Sequence, residues 1–90
     1  MTEPWLRVLI NISIFPTPTS DELFFESEMY DLKGHVIRIF DVTGAELIKH
    51  HTDSRDINKI SANNLNSGLY FYNIINETGM IVKTGRFVKE

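Results

Sequence analysis

The sequence predicts an all-β domain, folded as an antiparallel β-sandwich of about seven short strands. Apolar, aromatic and β-branched residues recur in short runs, and several runs show the alternation of period two that a half-buried strand requires. Turn-forming residues separate these runs at intervals of roughly 8 to 14 residues, as in a sandwich of short strands. No segment shows a sustained periodicity of 3.6 residues bounded by helix caps, so no helix is predicted.

The first two predicted strands are separated by a proline-rich turn. In LINISIF, Ile12 and Ile14 alternate with polar neighbours, as in a half-buried strand. The strand ends where Pro16 and Pro18 remove two backbone donors and impose extended or turn geometry. ELFFE then forms the second strand, and EMYDLKG follows it as a loop with a glycine turn.

The third and fourth predicted strands form a hairpin. HVIRIFDV is the most apolar stretch of the first half, and its apolar residues occupy positions of both parities. This pattern predicts a central strand that is covered, at least in part, on both faces. In the turn that follows, Asp41 can accept hydrogen bonds from backbone amides ahead of it and Gly44 can take positive φ. AELIKHHT then returns as the partner strand.

The second half of the chain contains three further predicted strands. RDINKISA is the weakest, and a connection rich in Asn, Ser and Gly separates it from the aromatic strand GLYFYNII. NETG is a tight turn in which Asn76 or Gly79 supplies the left-handed residue. The last strand, MIVKTGRFVKE, carries apolar residues almost to the end of the chain, where most small domains have frayed polar residues.

A tyrosine corner is predicted at the start of the aromatic strand. Leu65, Gly68 and Tyr70 have its spacing, in which the leucine enters the core and the tyrosine hydroxyl bonds back to upstream backbone. Tyr72 and Ile74 are then expected beside Tyr70 on the inner face, with the intervening residues on the outer face. The seven short strands and the spacing of their turns predict that the sandwich is immunoglobulin-like.

Size and composition exclude several classes of protein. Ninety residues form one small domain, and 42% apolar with 23% charged residues are ordinary globular values. The net charge is −3 and the nine basic residues form no basic face, which argues against a nucleic-acid partner. The chain has no cysteine, so disulfides, thiolate metal sites and cysteine nucleophiles are excluded. No apolar run approaches the roughly 20 residues of a membrane-spanning helix.

No catalytic or metal-binding constellation emerges from the residues. His50 and His51 are adjacent, so on a strand their side chains point to opposite faces and cannot easily chelate one metal, while His35 lies elsewhere. Asp41 is interpreted as a turn residue rather than as a calcium ligand or a general base. No Ser–His–acid set and no glycine-rich phosphate loop can be singled out. We therefore predict neither an enzyme nor a cofactor.

Four separated motifs, taken in order, resemble one known family. They are ISIFPTPTSDEL (12–23), IFDVTGAEL (39–47), LNSGLYFY (65–72) and GRFVKE (85–90). Their order and spacing are similar to those of the type A C-terminal sorting domain of type IX secretion cargo from Bacteroidota, over about residues 11–90. Thr17 departs from the Pro-Asn-Pro of the family, and Leu47 and Arg86 replace a common valine and lysine.

The resemblance implies a secretion signal without enzymatic activity. Such domains direct an upstream cargo protein through the type IX translocon across the outer membrane. A sortase-like peptidase then often removes the domain, and the cargo is released or anchored at the cell surface. The cargo would reach the periplasm by a signal peptide, which this chain lacks and which is expected in a full-length precursor. Residues 1–10 are expected to be a linker or a cloning remnant, with the cleavage site nearby.

The resemblance implies that the last strand is the sorting signal that the translocon recognises. A terminal edge strand suits this role, because its unpaired backbone groups can pair with a partner strand or support a homodimer. The residues expected to be recognised are Gly85, Arg86, Phe87, Val88 and Lys89. The fold-defining positions implied by the motifs are Pro16, Thr17, Pro18, Asp41, Gly44, Leu65, Gly68 and Tyr70.

Two other functions fit the same composition. A carbohydrate-binding or adhesive sandwich could use an aromatic face that contains Phe71 and Trp5, with Tyr70 and Tyr72 as further stacking rings. An inert spacer domain beside a hydrolase would need no recognition site at all. Sugar binding would distinguish the first from a sorting signal, and export of a cargo that lacks the last five residues would distinguish the second.

Overall fold

A computed structural model describes residues 11–90, and the structural statements below concern that part of the chain. Seven strands and no helix occur in it. The strands are β1 (Ile12–Phe15), β2 (Glu22–Ser27), β3 (Val36–Phe40), β4 (Glu46–His51), β5 (Ile57–Ser61), β6 (Gly68–Ile75) and β7 (Ile81–Lys89). Each lies in a segment that the sequence predicts as a strand, so the prediction of an all-β domain of seven strands is confirmed.

The strands form two antiparallel sheets. One sheet has three strands in the order β1-β2-β5, and the other has four in the order β4-β3-β6-β7. The strands pair antiparallel in both sheets, β7 is an edge strand paired with β6, and an isolated parallel bridge joins Thr19 to Lys89. The C-terminal strand is therefore placed at the border of the larger sheet, as the resemblance implies.

The core lies between the two sheets. Phe25 of β2 meets Tyr72 of β6 edge-to-face across the interface, with ring centroids 5.2 Å apart. Ile37 and Ile39 of β3 are fully buried, whereas the alternate residues of that strand are half-buried on the outer face. This partial cover of the outer face agrees with the prediction from HVIRIFDV. Leu32, in the loop between β2 and β3, is also fully buried, which the polar composition of that loop does not predict.

Two hairpin turns share one hydrogen-bonding arrangement. In the turn from β3 to β4, Oδ1 of Asp41 accepts from the backbone amides of Thr43 and Ala45, at 2.9 and 3.1 Å. In the turn from β6 to β7, Oδ1 of Asn76 accepts from the amides two and four residues later, at 3.1 and 2.9 Å. Gly44 and Gly79 occupy the fourth position of each turn with φ near +88° and +86°. Glycine, and not Asn76, therefore supplies the left-handed residue.

The tyrosine corner is formed as predicted. The hydroxyl of Tyr70 donates to the backbone carbonyl of Asn66 at 2.6 Å. Leu65 enters the core from the connection before β6, and Tyr70, Tyr72 and Ile74 are buried in alternation along the strand. The corner therefore fixes the start of β6, the strand on which β7 is assembled.

Candidate recognition surface at the C-terminal strand

The C-terminal strand is ordered along its whole length. It pairs with β6 from Ile81 opposite Ile75 to Lys89 opposite Gly68. The last residue is also held, because the amide of Glu90 donates to the carbonyl of Thr19 at 2.8 Å. The apolar residues at the end of the sequence therefore belong to a folded edge strand and not to a frayed tail.

Two of the five residues expected at the recognition site face the interior. Phe87 is 1% exposed, and its ring stacks on Tyr70 with centroids 5.6 Å apart. Gly85 lies against the ring of Tyr72, and a Cβ at this position would come within 2.5 Å of the Tyr72 hydroxyl oxygen. Burial raises the pKa of that hydroxyl above its usual value. The backbone at Gly85 and the side chain of Phe87 thus close the core.

The exposed residues near the C-terminal end of β7 point outward. Arg86 and Val88 alternate with the buried positions and lie on the outer face of the four-stranded sheet. Arg86 is directly opposite Phe71 of β6, and Val88 is opposite Leu69. We call these four residues the outer patch. Lys89 is half-buried, and its ammonium group donates to the carbonyl of Glu90 at 3.1 Å.

The apolar members of the outer patch are accessible and adjacent. Leu69, Phe71 and Val88 expose 37%, 40% and 42% of their surface, in adjacent positions on two strands. Phe40 of β3 continues the row on the far side of Phe71. Contiguous exposed apolar side chains of this kind mark interaction surfaces more often than isolated ones do.

The outer edge of β7 is closed at its C-terminal end. The amide of Thr19, in the connection between β1 and β2, donates to the carbonyl of Val88 at 2.9 Å. Thr19 is fully buried, and its hydroxyl donates to the carbonyl of Glu22 at 2.7 Å. Since backbone groups alternate along a strand, those of Thr84 and Arg86 point to the same edge, where no strand pairs. The expected open edge is thus restricted to the part of β7 before Val88.

The remaining motif positions lie where they hold the fold together. Pro16, Thr17 and Pro18 form the connection that places Thr19 against β7, and the peptide bonds before both prolines are cis. Asp41 has a lowered pKa, chiefly because the Thr43 hydroxyl and then the backbone amides of the turn donate to its carboxylate. Asp41 and residues 16–18 are not paired with the outer patch in the strand register, whereas Gly68 and Tyr70 flank Leu69 on β6.

The structure describes three of the four aromatic residues considered for a sugar platform. Tyr70 and Tyr72 are buried, so of the three aromatic residues in β6 only Phe71 is exposed. Trp5 lies outside the described residues. An open cleft of about 630 Å³ lies beside β4 and β5, and its lining includes Leu47, Ile60 and the largely buried Tyr70.

The histidines do not converge on a metal site. His50 lines the cleft, His51 is exposed, and His35 is buried 2.7 Å from the Tyr30 hydroxyl. Residues 11–90 contain no group of three or more His, Asp or Glu side chains placed to hold a metal ion. In the same range, no helix is long and apolar enough to cross a membrane.

Comparison with known proteins places the chain in a family. The model of the secretion system C-terminal sorting domain matches residues 13–90. A search of curated proteins finds no match. Among solved structures, PorZ, an essential surface component of the type IX secretion system of Porphyromonas gingivalis, matches with a TM-score of 0.67 and 17% sequence identity. That match covers 89% of this chain and 11% of PorZ, and it shows a shared fold.

The family match covers three of the four sequence motifs completely, and the first from its second residue on. The chain belongs to the family of secretion system C-terminal sorting domains, the sorting signals of type IX secretion.

Proposed function

We propose that this domain carries an upstream cargo protein through the type IX translocon, and that the translocon recognises the accessible side of β7. The observation that supports this is the combination of order and exposure at the C-terminus. The last amide is bonded to Thr19, and Arg86 and Val88 nevertheless present their side chains to solvent. A partner can therefore read a fixed arrangement of side chains rather than a mobile tail.

The five expected recognition residues take different roles in this proposal. Arg86 and Val88 contact the translocon, and Lys89 adds positive charge beside them. Gly85 and Phe87 act indirectly, because they hold β7 on the core through Tyr72 and Tyr70. The motif positions from Pro16 to Tyr70 likewise act through the fold.

The route of the cargo follows from the same proposal. A precursor with an N-terminal signal peptide delivers cargo and domain to the periplasm, and the translocon moves them across the outer membrane. A sortase-like peptidase then cuts at or before residues 1–10, which link the cargo to β1. The domain itself performs no catalysis. We also propose that the open edge at Thr84 and Arg86 can pair two copies into a homodimer, which sedimentation at increasing concentration would test.

An export assay tests the function. A signal peptide and a fluorescent protein are fused ahead of the whole chain, and the fusion is expressed in a type IX-competent bacterium and in a translocon-deficient strain. We expect fluorescence at the surface or in the medium of the competent strain alone. A fusion without the 90 residues is the matched control and should remain in the periplasm of both strains.

The same assay can contradict the proposal. If the fusion accumulates in the periplasm of a host that still exports its own type IX cargo, the domain is not an address in that system. A glycan array with the purified domain would then test the carbohydrate-binding alternative.

A further inference from the structure

We propose that the translocon recognises a surface that spans two strands, the outer patch of Leu69, Phe71, Arg86 and Val88, and not the C-terminal strand as a linear sequence. We further propose that the partner is a protein surface with an apolar centre and a carboxylate that pairs with Arg86. This inference rests on the proposed function, since it names the surface through which the sorting signal is read.

The first argument is that other approaches to the end of β7 are closed. Thr19 occupies the outer backbone edge at Val88, and the amide of Glu90 is bonded to the same residue. The inner face of the strand is closed by Phe87, which is buried against Tyr70. A partner that contacts the strand from Val88 onward therefore approaches the outer face of the sheet, whereas the backbone edge at Thr84 and Arg86 stays open.

The second argument is that the outer face brings β6 into any such contact. Residues directly opposite in an antiparallel pair have Cβ atoms about 4.5 to 5.5 Å apart. Phe71 is opposite Arg86 and Leu69 is opposite Val88, so a surface that covers the two β7 side chains also covers the two β6 side chains. Phe71 is the largest exposed apolar side chain of the patch, and buried aromatic residues and arginines dominate binding energy at protein interfaces.

The outer face of the three-stranded sheet provides a contrast. There Phe15 stacks on Phe24, with centroids 5.5 Å apart, and Lys59 makes an ion pair with Glu22. Phe15 and Ile57 are as exposed on this face as the apolar residues of the outer patch, so the difference lies in the cation, which is already paired here. In the outer patch, by comparison, Arg86 makes no ion pair with any described residue.

The third argument concerns charge. Although the chain has a net charge of −3, the only acidic residue within the four strands of the larger sheet is Glu46, and it pairs with Arg38. Lys49 and Arg86 remain as cations without a described ion pair on the same outer face. A complementary partner therefore presents carboxylates around its apolar centre.

A protein partner fits this surface better than an anionic lipid surface does. Each basic residue near an anionic membrane contributes only about 1 kcal/mol, and lipid-binding segments usually carry clusters of four to eight of them. One cation beside three apolar side chains would bind such a membrane weakly, and Lys49 lies on β4 at the opposite edge of the sheet. A shaped, partly apolar protein surface can use the same residues as a specific contact.

The test compares exported fluorescence for variants of the fusion protein. Phe71→Ser removes the central apolar side chain, and Arg86→Glu reverses the charge. We expect each to lower the exported fraction at least about tenfold, the effect of losing one interface residue worth 1.4 kcal/mol or more. Arg86→Lys keeps the positive charge, so its exported fraction should remain within about threefold of the parent. The lysine can still form the ion pair, and an exposed ion pair contributes only modest energy.

Matched controls lie on other surfaces. Ile57 is 43% exposed on the outer face of the smaller sheet, so Ile57→Ser removes a similar apolar area outside the patch. Lys33 is an exposed loop residue, so Lys33→Glu makes the same charge reversal elsewhere. Both should be exported like the parent. Thermal unfolding of each purified domain must show a folded protein, so that lost export cannot be attributed to lost folding.

The outcomes separate the two proposals. If the parent fusion is not exported, the proposed function fails and the patch with it. If the parent is exported and folded Phe71→Ser and Arg86→Glu variants are exported equally well, the patch is not what the translocon reads. If both variants lose export, and the parent domain binds phosphatidylglycerol vesicles while Arg86→Glu does not, the partner is a lipid surface and the protein-partner inference is wrong.

Discussion

Gly85 of β7 lies directly against the ring of Tyr72 on β6. A Cβ at Gly85 would be 2.5 Å from the Tyr72 hydroxyl oxygen and 2.6 Å from Cζ of its ring. Tyr72 in turn meets Phe25 of the opposite sheet. The glycine of the C-terminal motif therefore admits an aromatic ring into the core between the sheets. Its place in the motif has a packing explanation that does not require contact with a partner.

This packing predicts a cost for Gly85→Ala. The new methyl group would overlap rigid ring atoms, so the ring or the strand must shift, and overpacking of this kind usually costs about 1–3 kcal/mol. Urea denaturation of the purified domain would measure the loss. Thr84→Ala, at the neighbouring exposed position, is the control and should change the free energy of unfolding by less than about 0.5 kcal/mol. Equal stability of both variants would contradict the packing explanation.

A second prediction concerns deletion of residues 86–90, the obvious test of a C-terminal signal. The deletion removes Phe87, which is 1% exposed, and loss of a buried phenylalanine alone costs about 3–5 kcal/mol. A small domain of this size has a free energy of unfolding of only about 5–15 kcal/mol. We expect circular dichroism to show that the truncated domain is largely unfolded at 37 °C, so its export phenotype would not identify recognition residues.

The matched variant for that deletion is the double substitution Arg86→Glu with Val88→Ser. It changes two outward side chains and leaves Phe87 and the backbone pairing with β6 in place. We expect its thermal unfolding transition to stay cooperative and near that of the parent. If the deletion remains as stable as the double variant, then the contact between Phe87 and Tyr70 contributes little to the fold.

A third prediction tests the tyrosine corner. Tyr70→Phe removes the donor to the Asn66 carbonyl while the ring remains stacked on Phe87. The expected loss is about 0.5–1.5 kcal/mol, the usual net value of one intramolecular hydrogen bond. Tyr72→Phe is the control, because the Tyr72 hydroxyl has no hydrogen-bond partner within the described residues, and it should be closer to neutral. Chemical denaturation would measure the free energy of unfolding of both variants. If Tyr70→Phe proved no less stable than Tyr72→Phe, the corner would be unimportant.

Much of this fold can be predicted from local patterns. Alternation in the segments around Ile12 and Tyr70 predicts strands, and the turns at Asp41 and Asn76 have recognisable chemistry over five residues. The tyrosine corner is also local, since Tyr70 reaches Asn66 four residues back. These features depend on neighbours in sequence, and the structure confirms them.

The candidate site depends on contacts that a local reading cannot supply. The sequence gives no register between β6 and β7, so it does not reveal that Gly85 faces Tyr72 or that Arg86 faces Phe71. The contact of Thr19 with Val88 joins residues near opposite ends of the sequence. A linear motif therefore groups buried and accessible residues together, and only the pairing separates them.

The last prediction concerns the pH dependence of stability. It arises from the turns at Asp41 and Asn76, which share one hydrogen-bonding arrangement. The carboxylate of Asp41 has a pKa below its usual value, first because the Thr43 hydroxyl donates to it and then because backbone amides do. In the unfolded chain the group returns to its usual pKa of about 3.9. The contribution of the ionised group to stability is therefore complete above that value, and it is lost as the pH falls through the lower pKa of the folded state.

Asn76 shows what a neutral side chain does in the same position. Its Oδ1 accepts the same set of bonds, from the backbone amide and hydroxyl of Thr78 and from the amide of Met80. Asp41→Asn should therefore fold with the same turn, whereas Asp41→Ala should be less stable than either. Between pH 7 and pH 3 the parent should lose more stability than Asp41→Asn, because only the parent has a titrating group at this turn. Parallel pH dependence of the parent and the asparagine variant, measured by urea denaturation at each pH, would show that the Asp41 carboxylate does not stabilise the hairpin through its charge.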